Sequence, residues 1–134
     1  MRRYLLDTGP AQDFIHKREP VYARANELLT DGNKLGVGMP VVGELFAGVE
    51  YSSTRERNYS ILIRRLDSLL LWPLDRDAAE EYGRLFALLR RNGRIMQQVD
   101  MQIAAIALTL GNCTVVTKDS DFAAIPGLEI EDWS

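Results

Sequence analysis

Short apolar segments alternate with longer amphipathic segments along almost the whole chain, and this alternation limits the possible folds more than any other feature. Apolar or period-two segments predict five strands, at 4–7, 34–39, 70–75, 114–117 and 127–133. Between them, apolar residues recur at three- and four-residue steps, the spacing of amphipathic helices. Strands that alternate with helices favour an α/β fold: a mostly parallel sheet, helices on both faces and right-handed crossovers.

Prolines, glycines and one capping motif predict where the helices begin and end. Proline is favoured in the first turn of a helix, so helices are expected to start at Pro10, Pro20 and Pro40. The sequence "DAAE" at 77–80 has the spacing of a capping box and predicts the start of a helix that runs to Asn92. Beyond the helix at Pro10, the predicted helices cover 20–33, 40–52, 55–70, 77–92 and 98–110, with at most one helical turn at 119–125.

The composition is that of an ordinary globular protein. The chain has 134 residues, 46% hydrophobic and 26% charged, which suits one domain covering 1–134. No apolar run is long enough for a membrane span or a signal peptide. The lone Cys113 excludes an internal disulfide and is typical of a reducing compartment. We therefore expect a cytoplasmic protein that does not enter the membrane.

The sequence contains few types of side chain that could catalyse hydrolysis. His16 is the only histidine, so catalysis by paired histidines within one chain is excluded. Hydrolytic chemistry must then rest on the 19 carboxylates. The net charge of −3 gives no general attraction to nucleic acid, although local basic patches could still bind it.

The tripeptide "DTG" at 7–9 raises the possibility of an aspartic protease, since it matches the active-site triplet of that class. Aspartic proteases are almost wholly β-sheet, whereas most of this chain is predicted to be helical. The helical content therefore argues against a protease and leaves Asp7 to be explained in another way.

Five acidic residues are predicted at one edge of the sheet, where parallel strands end and ligands bind in folds of this class. They are Asp7, Glu44, Asp100, Asp119 and Asp121. Each alone is typical of a helix cap or a turn. Together they repel, at about 4 kcal/mol for a pair 4 Å apart in an intermediate dielectric, and this repulsion calls for a cation. Oxygen-only ligands favour Mg²⁺ or Mn²⁺.

The segments "YLLDT", "VVGELFAGVE", "VDMQIAAIALTLGNCTVVTKDSDF" and "IPGLEIEDW" resemble the PIN-domain nucleases, specifically the VapC-type toxins of bacterial toxin–antitoxin pairs. The resemblance covers essentially the whole chain. It implies a three-layer PIN-like domain, a metal-bound carboxylate cluster and endoribonuclease activity on RNA. It also implies a cognate VapB-like antitoxin and a homodimer.

Residue by residue, Asp7, Glu44 and Asp100 match the three principal acids of the family, and Asp119 matches the fourth better than Asp121 does. The resemblance implies that Asp7 and Asp100 are the innermost ligands of Mg²⁺ or Mn²⁺, with Asp121 at the edge of the site. Glu44 is expected to bind metal through water or to orient the attacking water. The family usually has Asn where this chain has Gly9, which puts one secondary contact in doubt.

Substrate contacts are expected from hydroxyl and guanidinium groups near this edge. Thr8 and Thr117 stand at strand ends, where they can bond the carboxylates or a phosphate. Arg90, Arg91 and Arg94 cluster before the helix of Asp100, and phosphate contacts dominate affinity for nucleic acid. Each of these residues also has an ordinary structural explanation, as a strand-end hydroxyl or a solvated helix end.

A partner surface is predicted from the wide apolar faces of the helices at 20–33 and 55–70. A thin sheet covers only part of such faces, so the remainder is expected to bind the antitoxin or a second copy. The residues of these faces are Val21, Leu28, Leu29, Ile61, Leu62, Ile63, Leu66, Leu69 and Leu70.

Two other functions stay open at this stage. One is a catalytically inactive PIN-like domain that only binds RNA or protein. The other is a phosphoacceptor signalling domain, with Lys118 after a late strand; such domains need adjacent acids after the first strand, and here Thr8 follows Asp7. The RNA, the antitoxin and the number of metal ions are not specified by the sequence.

Overall fold

Five strands form one sheet in the computed structural model, which describes residues 1–134. The strands lie in the order β3-β2-β1-β4-β5, and every neighbouring pair is parallel. Their bounds are β1 (Arg3–Leu6), β2 (Lys34–Gly38), β3 (Leu70–Trp72), β4 (Cys113–Val116) and β5 (Glu129–Glu131). The predicted α/β class is confirmed.

Six helices connect these strands, with one 3₁₀ helix at Ser120–Ala124 between β4 and β5. The helices are α1 (Thr8–Ile15), α2 (Val21–Thr30), α3 (Met39–Tyr51), α4 (Arg55–Leu66), α5 (Arg76–Arg91) and α6 (Gln98–Leu110). Each predicted helix is present. No helix combines the length and the apolar character that crossing a bilayer requires.

The central strands are buried on both sides. Consecutive residues of a strand point to opposite faces of the sheet, and both Leu5 and Leu6 of β1 are completely buried, as are Val115 and Val116 of β4. The helices therefore cover both faces, which makes the three-layer arrangement that the sequence predicts. Strands β3 and β5 form the edges of the sheet and are largely exposed.

The ends of several helices differ from the prediction, and in two cases an aspartate is the reason. Helix α5 begins after Asp75, whose carboxylate accepts a hydrogen bond from the backbone N–H of Ala78 at 2.9 Å; the capping box at 77–80 was wrong. Helix α1 begins at Thr8, two residues before Pro10, because Asp7 caps it. Helix α4 ends at Leu66, and the next residues lead into β3.

Most of the apolar face predicted for partner binding belongs to the core. Val21, Leu28, Leu62, Leu66 and Leu69 are buried in one cluster with the sheet, and Ile61 packs against it. The large side chains that stay more than a third exposed on this face are Leu29, Ile63 and Leu70. The surface left for a partner is thus smaller than the sequence pattern indicates.

Candidate active site

The carboxyl ends of β1 and β4 bring two acidic residues together at the same edge of the sheet. Leu6 pairs with Val116 in parallel register, and the N–H of Asp7 donates to the carbonyl of Val116 at 2.9 Å. Asp7 is therefore the first residue beyond β1, and Thr117 is the first beyond β4. Two residues later along the same edge comes Asp119, which caps the 3₁₀ helix.

Asp7 is held by two hydrogen bonds that fix both of its oxygens. Its Oδ1 accepts from the backbone N–H of Thr8 at 2.8 Å, and its Oδ2 accepts from the hydroxyl of Thr117 at 2.8 Å. Burial raises the pKa of Asp7, while these two bonds act in the opposite direction; the charges of Asp119 and Glu44 raise it further. The carboxylate is thus oriented before any ligand binds.

The hydroxyl of Thr117 connects two of the acids. This side chain is buried, and its oxygen accepts a hydrogen bond from the N–H of Asp119 at 3.0 Å while its proton goes to Asp7. Asp119 in turn accepts at Oδ1 from the N–H of Asp121 at 2.9 Å. One threonine therefore sets the position of Asp7 relative to the turn that carries Asp119.

Glu44 reaches the same edge from α3. Its Oε1 accepts a hydrogen bond from the hydroxyl of Thr8 at 2.6 Å, and its side chain is exposed. Since Thr8 also donates its backbone N–H to Asp7, a single residue at the start of α1 contacts both carboxylates. The predicted hydrogen bonds from Thr8 and Thr117 to the acids are therefore present.

Asp100 is the most strongly perturbed acid of the group. It stands in the first turn of α6 and is half-buried. Burial raises its pKa from 3.8 to about 6, with further contributions from the charges of Asp7, Asp119, Glu44 and Asp121, in that order. None of these acids forms an ion pair with a lysine or arginine. The edge therefore holds concentrated negative charge that no side chain neutralises.

The oxygen donors of these carboxylates are the kind that a hard divalent cation prefers, but the side chains lie too far apart to bind one in their present positions. They influence one another's charge, yet no three acidic side chains stand close enough to form a finished metal site. Charge coupling extends over many ångströms, whereas Mg²⁺ needs oxygens at about 2.0–2.1 Å. A shared cation thus requires the side chains to draw together, and the charge of the cation would offset the repulsion that opposes this change.

Asp121 stands apart from the inner acids. It is exposed, its carboxylate accepts no hydrogen bond, and its charge affects the pKa of Asp100 but is not among the causes of the shift at Asp7. Asp119, in contrast, affects both. The two aspartates thus differ in their electrostatic effect on the other acids, and the assignment of Asp119 as the inner residue stays a prediction.

The predicted basic cluster is only partly near the acids. The guanidinium of Arg90 lies over the ring of Phe86, 4.6 Å from its centre. Arg91 and Arg94 are exposed, and Arg94 lines a cavity together with Asp121. The apolar residues of this cavity were missed by the sequence analysis. The available signal was the adjacent pair Ile95 and Met96 in an otherwise polar loop.

Replacement of Thr117 by valine, which has the same shape, removes the hydrogen bond that orients Asp7 but leaves the charge of Asp7 in place. Its effect should therefore show how much the orientation of this carboxylate contributes. Loss of the buried hydroxyl leaves the N–H of Asp119 unpaired and should cost roughly 1–3 kcal/mol in the free energy of unfolding. If Asp7 binds a metal ion, cleavage activity should fall by about 10- to 100-fold, because partners that orient a metal ligand typically have effects of this size. Thermal melts and cleavage rates measure the two effects.

The matched control is Thr114→Val in β4, the strand that Thr117 directly follows. Thr114 is equally buried, and its hydroxyl accepts from Arg2 at 3.2 Å, away from the carboxylates. It should show a loss of stability with unchanged activity. Equal activity losses in both variants would mean that Thr117 acts through stability alone.

Comparison with known proteins gives a consistent result along the whole chain. The PIN domain model matches residues 4–128. The chain is 33% identical to Ribonuclease VapC2 of Rickettsia felis, with 97% of each chain covered. It is 32% identical to the tRNA(fMet)-specific endonuclease VapC of Shigella flexneri over the full length of both.

Solved structures show the same similarity. The structure of DNA-bound VapBC from Salmonella typhimurium matches with a TM-score of 0.90 and 31% identity over all of both chains. The structure of VapBC2 from Rickettsia felis, bound to a DNA fragment from its promoter, matches with a TM-score of 0.89 and 32% identity, covering 98% of this chain and 99% of that one.

Proposed function

This chain belongs to the PIN domain family, and on that premise we propose that it is the toxin of a toxin–antitoxin pair, a metal-dependent endoribonuclease. The observation that carries the proposal is the group of Asp7, Glu44, Asp100 and Asp119 at one sheet edge, with the pKa of Asp100 raised to about 6 and no basic partner. The names of the similar proteins, ribonucleases and endonucleases called VapC, agree with it.

The inner acids hold Mg²⁺ or Mn²⁺ in this proposal. Asp7 and Asp100 would be the direct ligands, Asp119 would complete the set, and Glu44 would act through a water molecule. When bound, such a cation lowers the pKa of a water molecule and neutralises charge on the phosphoryl group. The chain's own contribution is orientation: Thr8 and Thr117 fix the oxygens of Asp7 by the bonds described above.

The substrate in this proposal is a structured RNA, with transfer RNA as the first candidate because two of the similar proteins are named tRNA(fMet)-specific endonucleases. The phosphates would meet Arg91 and Arg94, which are exposed and free of ion pairs, whereas the guanidinium of Arg90 packs on Phe86. A protein that cuts transfer RNA meets it in the cytoplasm.

The protein partner in this proposal is a VapB-like antitoxin, since similar structures are VapBC complexes. A cavity of about 250 Å³ lies between α1, α3 and α4. Ile15, Leu45 and Leu62 give it an apolar floor, and Gln12 and Arg18 stand among its polar residues. We place a segment of the antitoxin there, and a second copy of this chain at another exposed apolar surface.

Incubation of the purified chain with total transfer RNA tests the enzymatic function. Cleavage to discrete fragments should require Mg²⁺ or Mn²⁺ and stop with excess EDTA, because the acids alone repel the phosphate. Sequencing of the new ends should place them in a few loops. Binding of RNA without cleavage under every metal condition would instead indicate an inactive PIN-like binding domain.

A further inference from the structure

A second concave site lies between the end of α5, the loop at 92–97 and the 3₁₀ helix. Its volume is about 180 Å³, below the roughly 300 Å³ at which sites for whole drug-sized ligands begin. Such a space suits one planar ring system. The residues that line it are Leu89, Arg94, Ile95, Met96, Asp121 and Ala124.

The walls of this cavity combine apolar surface with two unpaired charges. Leu89, Ile95, Met96 and Ala124 contribute the apolar part, and Ile95 is 85% exposed. Arg94 and Asp121 share the cavity but form no ion pair, and neither side chain makes a hydrogen bond within the protein. Their polar atoms are thus available to a ligand.

The cavity adjoins the acids of the proposed active site. The backbone N–H of Asp121 donates to the carboxylate of Asp119 at 2.9 Å, so the turn that lines the cavity is also the turn that carries an inner acid. The charge of Asp121 also contributes to the raised pKa of Asp100. A nucleotide whose phosphate lies at the acids therefore has its neighbour within reach of the cavity.

We propose that this cavity binds one unstacked guanine of the RNA beside the phosphodiester that is cut. This inference rests on the proposed ribonuclease function. Proteins that read single-stranded RNA pack splayed bases against side chains, most often aromatic or guanidinium planes, and bond their Watson–Crick edges. Here Ile95 and Met96 offer an apolar surface for such packing, and the carboxylate of Asp121 offers hydrogen-bond acceptors at one side.

The carboxylate selects guanine because it only accepts hydrogen bonds. Guanine presents two adjacent donors, N1–H and the N2 amine, which match the two oxygens of Asp121. Adenine and cytosine have a ring-nitrogen acceptor beside their amine, and uracil has one N–H between two carbonyls. Each of these bases would therefore place at least one lone pair against the carboxylate, which is repulsive. Arg94 is left to contact the phosphate of the bound nucleotide.

Cleavage of a pool of short oligoribonucleotides with randomised sequence, followed by sequencing of the ends, tests this inference. The parent chain should enrich guanine at one position flanking the cut. In Asp121→Asn, which presents one acceptor and one donor, the ratio of cleavage of guanine-containing to guanine-free sequences should fall about tenfold or more. Asp67→Asn, the same charge change at an exposed site beyond α4, should keep the parent's ratio.

Inosine in place of the selected guanine lacks the N2 amine and should lower cleavage by the parent but not by Asp121→Asn. Filling the cavity with Ala124→Leu should lower the same guanine ratio without any change of charge. Melting curves confirm that each variant is folded.

Three results would overturn the inference while leaving the nuclease intact: no guanine enrichment by the parent, unchanged enrichment by Asp121→Asn, or loss of all cleavage in a folded Asp121→Asn protein. The last would place Asp121 in the chemistry itself. Failure of the parent to cut any RNA would instead remove the proposed function, and this inference with it.

Discussion

Replacement of Asp7 by asparagine is expected to lower RNA cleavage by at least about a thousandfold, which corresponds to about 4 kcal/mol of the activation barrier. Asparagine keeps an oxygen that can accept from the N–H of Thr8, so the cap of α1 survives. It loses the negative charge that a divalent cation needs at the innermost position. Removal of one charge relieves repulsion, but the amide nitrogen that replaces Oδ2 cannot accept from the hydroxyl of Thr117, so the two effects oppose each other and the net change in stability should be small.

Asp13→Asn is the matched control for this prediction. Asp13 lies on the same helix and pairs with Arg18 at 3.4 Å near the surface, a contact worth at most about 1 kcal/mol. The control should cleave like the parent in initial-rate assays with Mn²⁺. Because both variants are purified identically, residual cleavage in Asp7→Asn also measures contaminating nuclease. A rate within threefold of the parent would exclude Asp7 as a metal ligand.

The order of elements was predictable because short strands and helices differ in hydrophobic period. The helix ends were less predictable, because an aspartate that caps a helix can move its start away from the position that a proline or a capping box indicates. Asp7 starts α1 two residues before Pro10, and Asp75 starts α5 before the "DAAE" motif. In both cases a carboxylate bonds a backbone N–H at the helix start, and at α5 the sequence offers two aspartates, Asp75 and Asp77, for this contact.

The acids of the site were predictable for a topological reason: parallel strands end at one edge. Their hydrogen bonds to Thr8 and Thr117 follow from the same register, since each threonine follows an acid or a paired strand end. The cavity beside Asp121 was not predictable in this way. It depends on how the 92–97 loop folds over the end of α5, and loop shape has no periodic signal.

The second large expected effect concerns stability: the ionised carboxylate of Asp100 should destabilise the metal-free fold. Its pKa rises from 3.8 to about 6 on folding, so the folded protein binds this proton more tightly than the unfolded chain does. Stability therefore falls as the pH rises through the interval between these values, and the full penalty is present above about pH 6. The shift taken alone gives about 3 kcal/mol, which solvent screening of a partly exposed group reduces to about 1 kcal/mol.

Asp100→Asn should remove this penalty and raise the melting temperature in EDTA at pH 7.5 by roughly 3–5 °C. The gain should shrink between pH 6 and pH 4, because the parent's carboxylate then becomes neutral too. The matched control is Asp31→Asn, an exposed site at the end of α2 without a hydrogen bond or ion pair for its carboxylate, which should leave the melting temperature at pH 7.5 unchanged.

Addition of Mn²⁺ should reverse the order of the two melting temperatures. A cation at a hundred times its dissociation constant stabilises the folded parent by about 2.7 kcal/mol, more than the repulsion that Asp100→Asn relieves. The variant lacks one ligand and should gain far less, so the parent becomes the more stable protein and the only active one. Calorimetric scans of both chains with EDTA and across a Mn²⁺ titration measure this crossing. Parallel melting curves at all Mn²⁺ concentrations would show that the charge of Asp100 serves no cation, and its repulsion would then need another explanation.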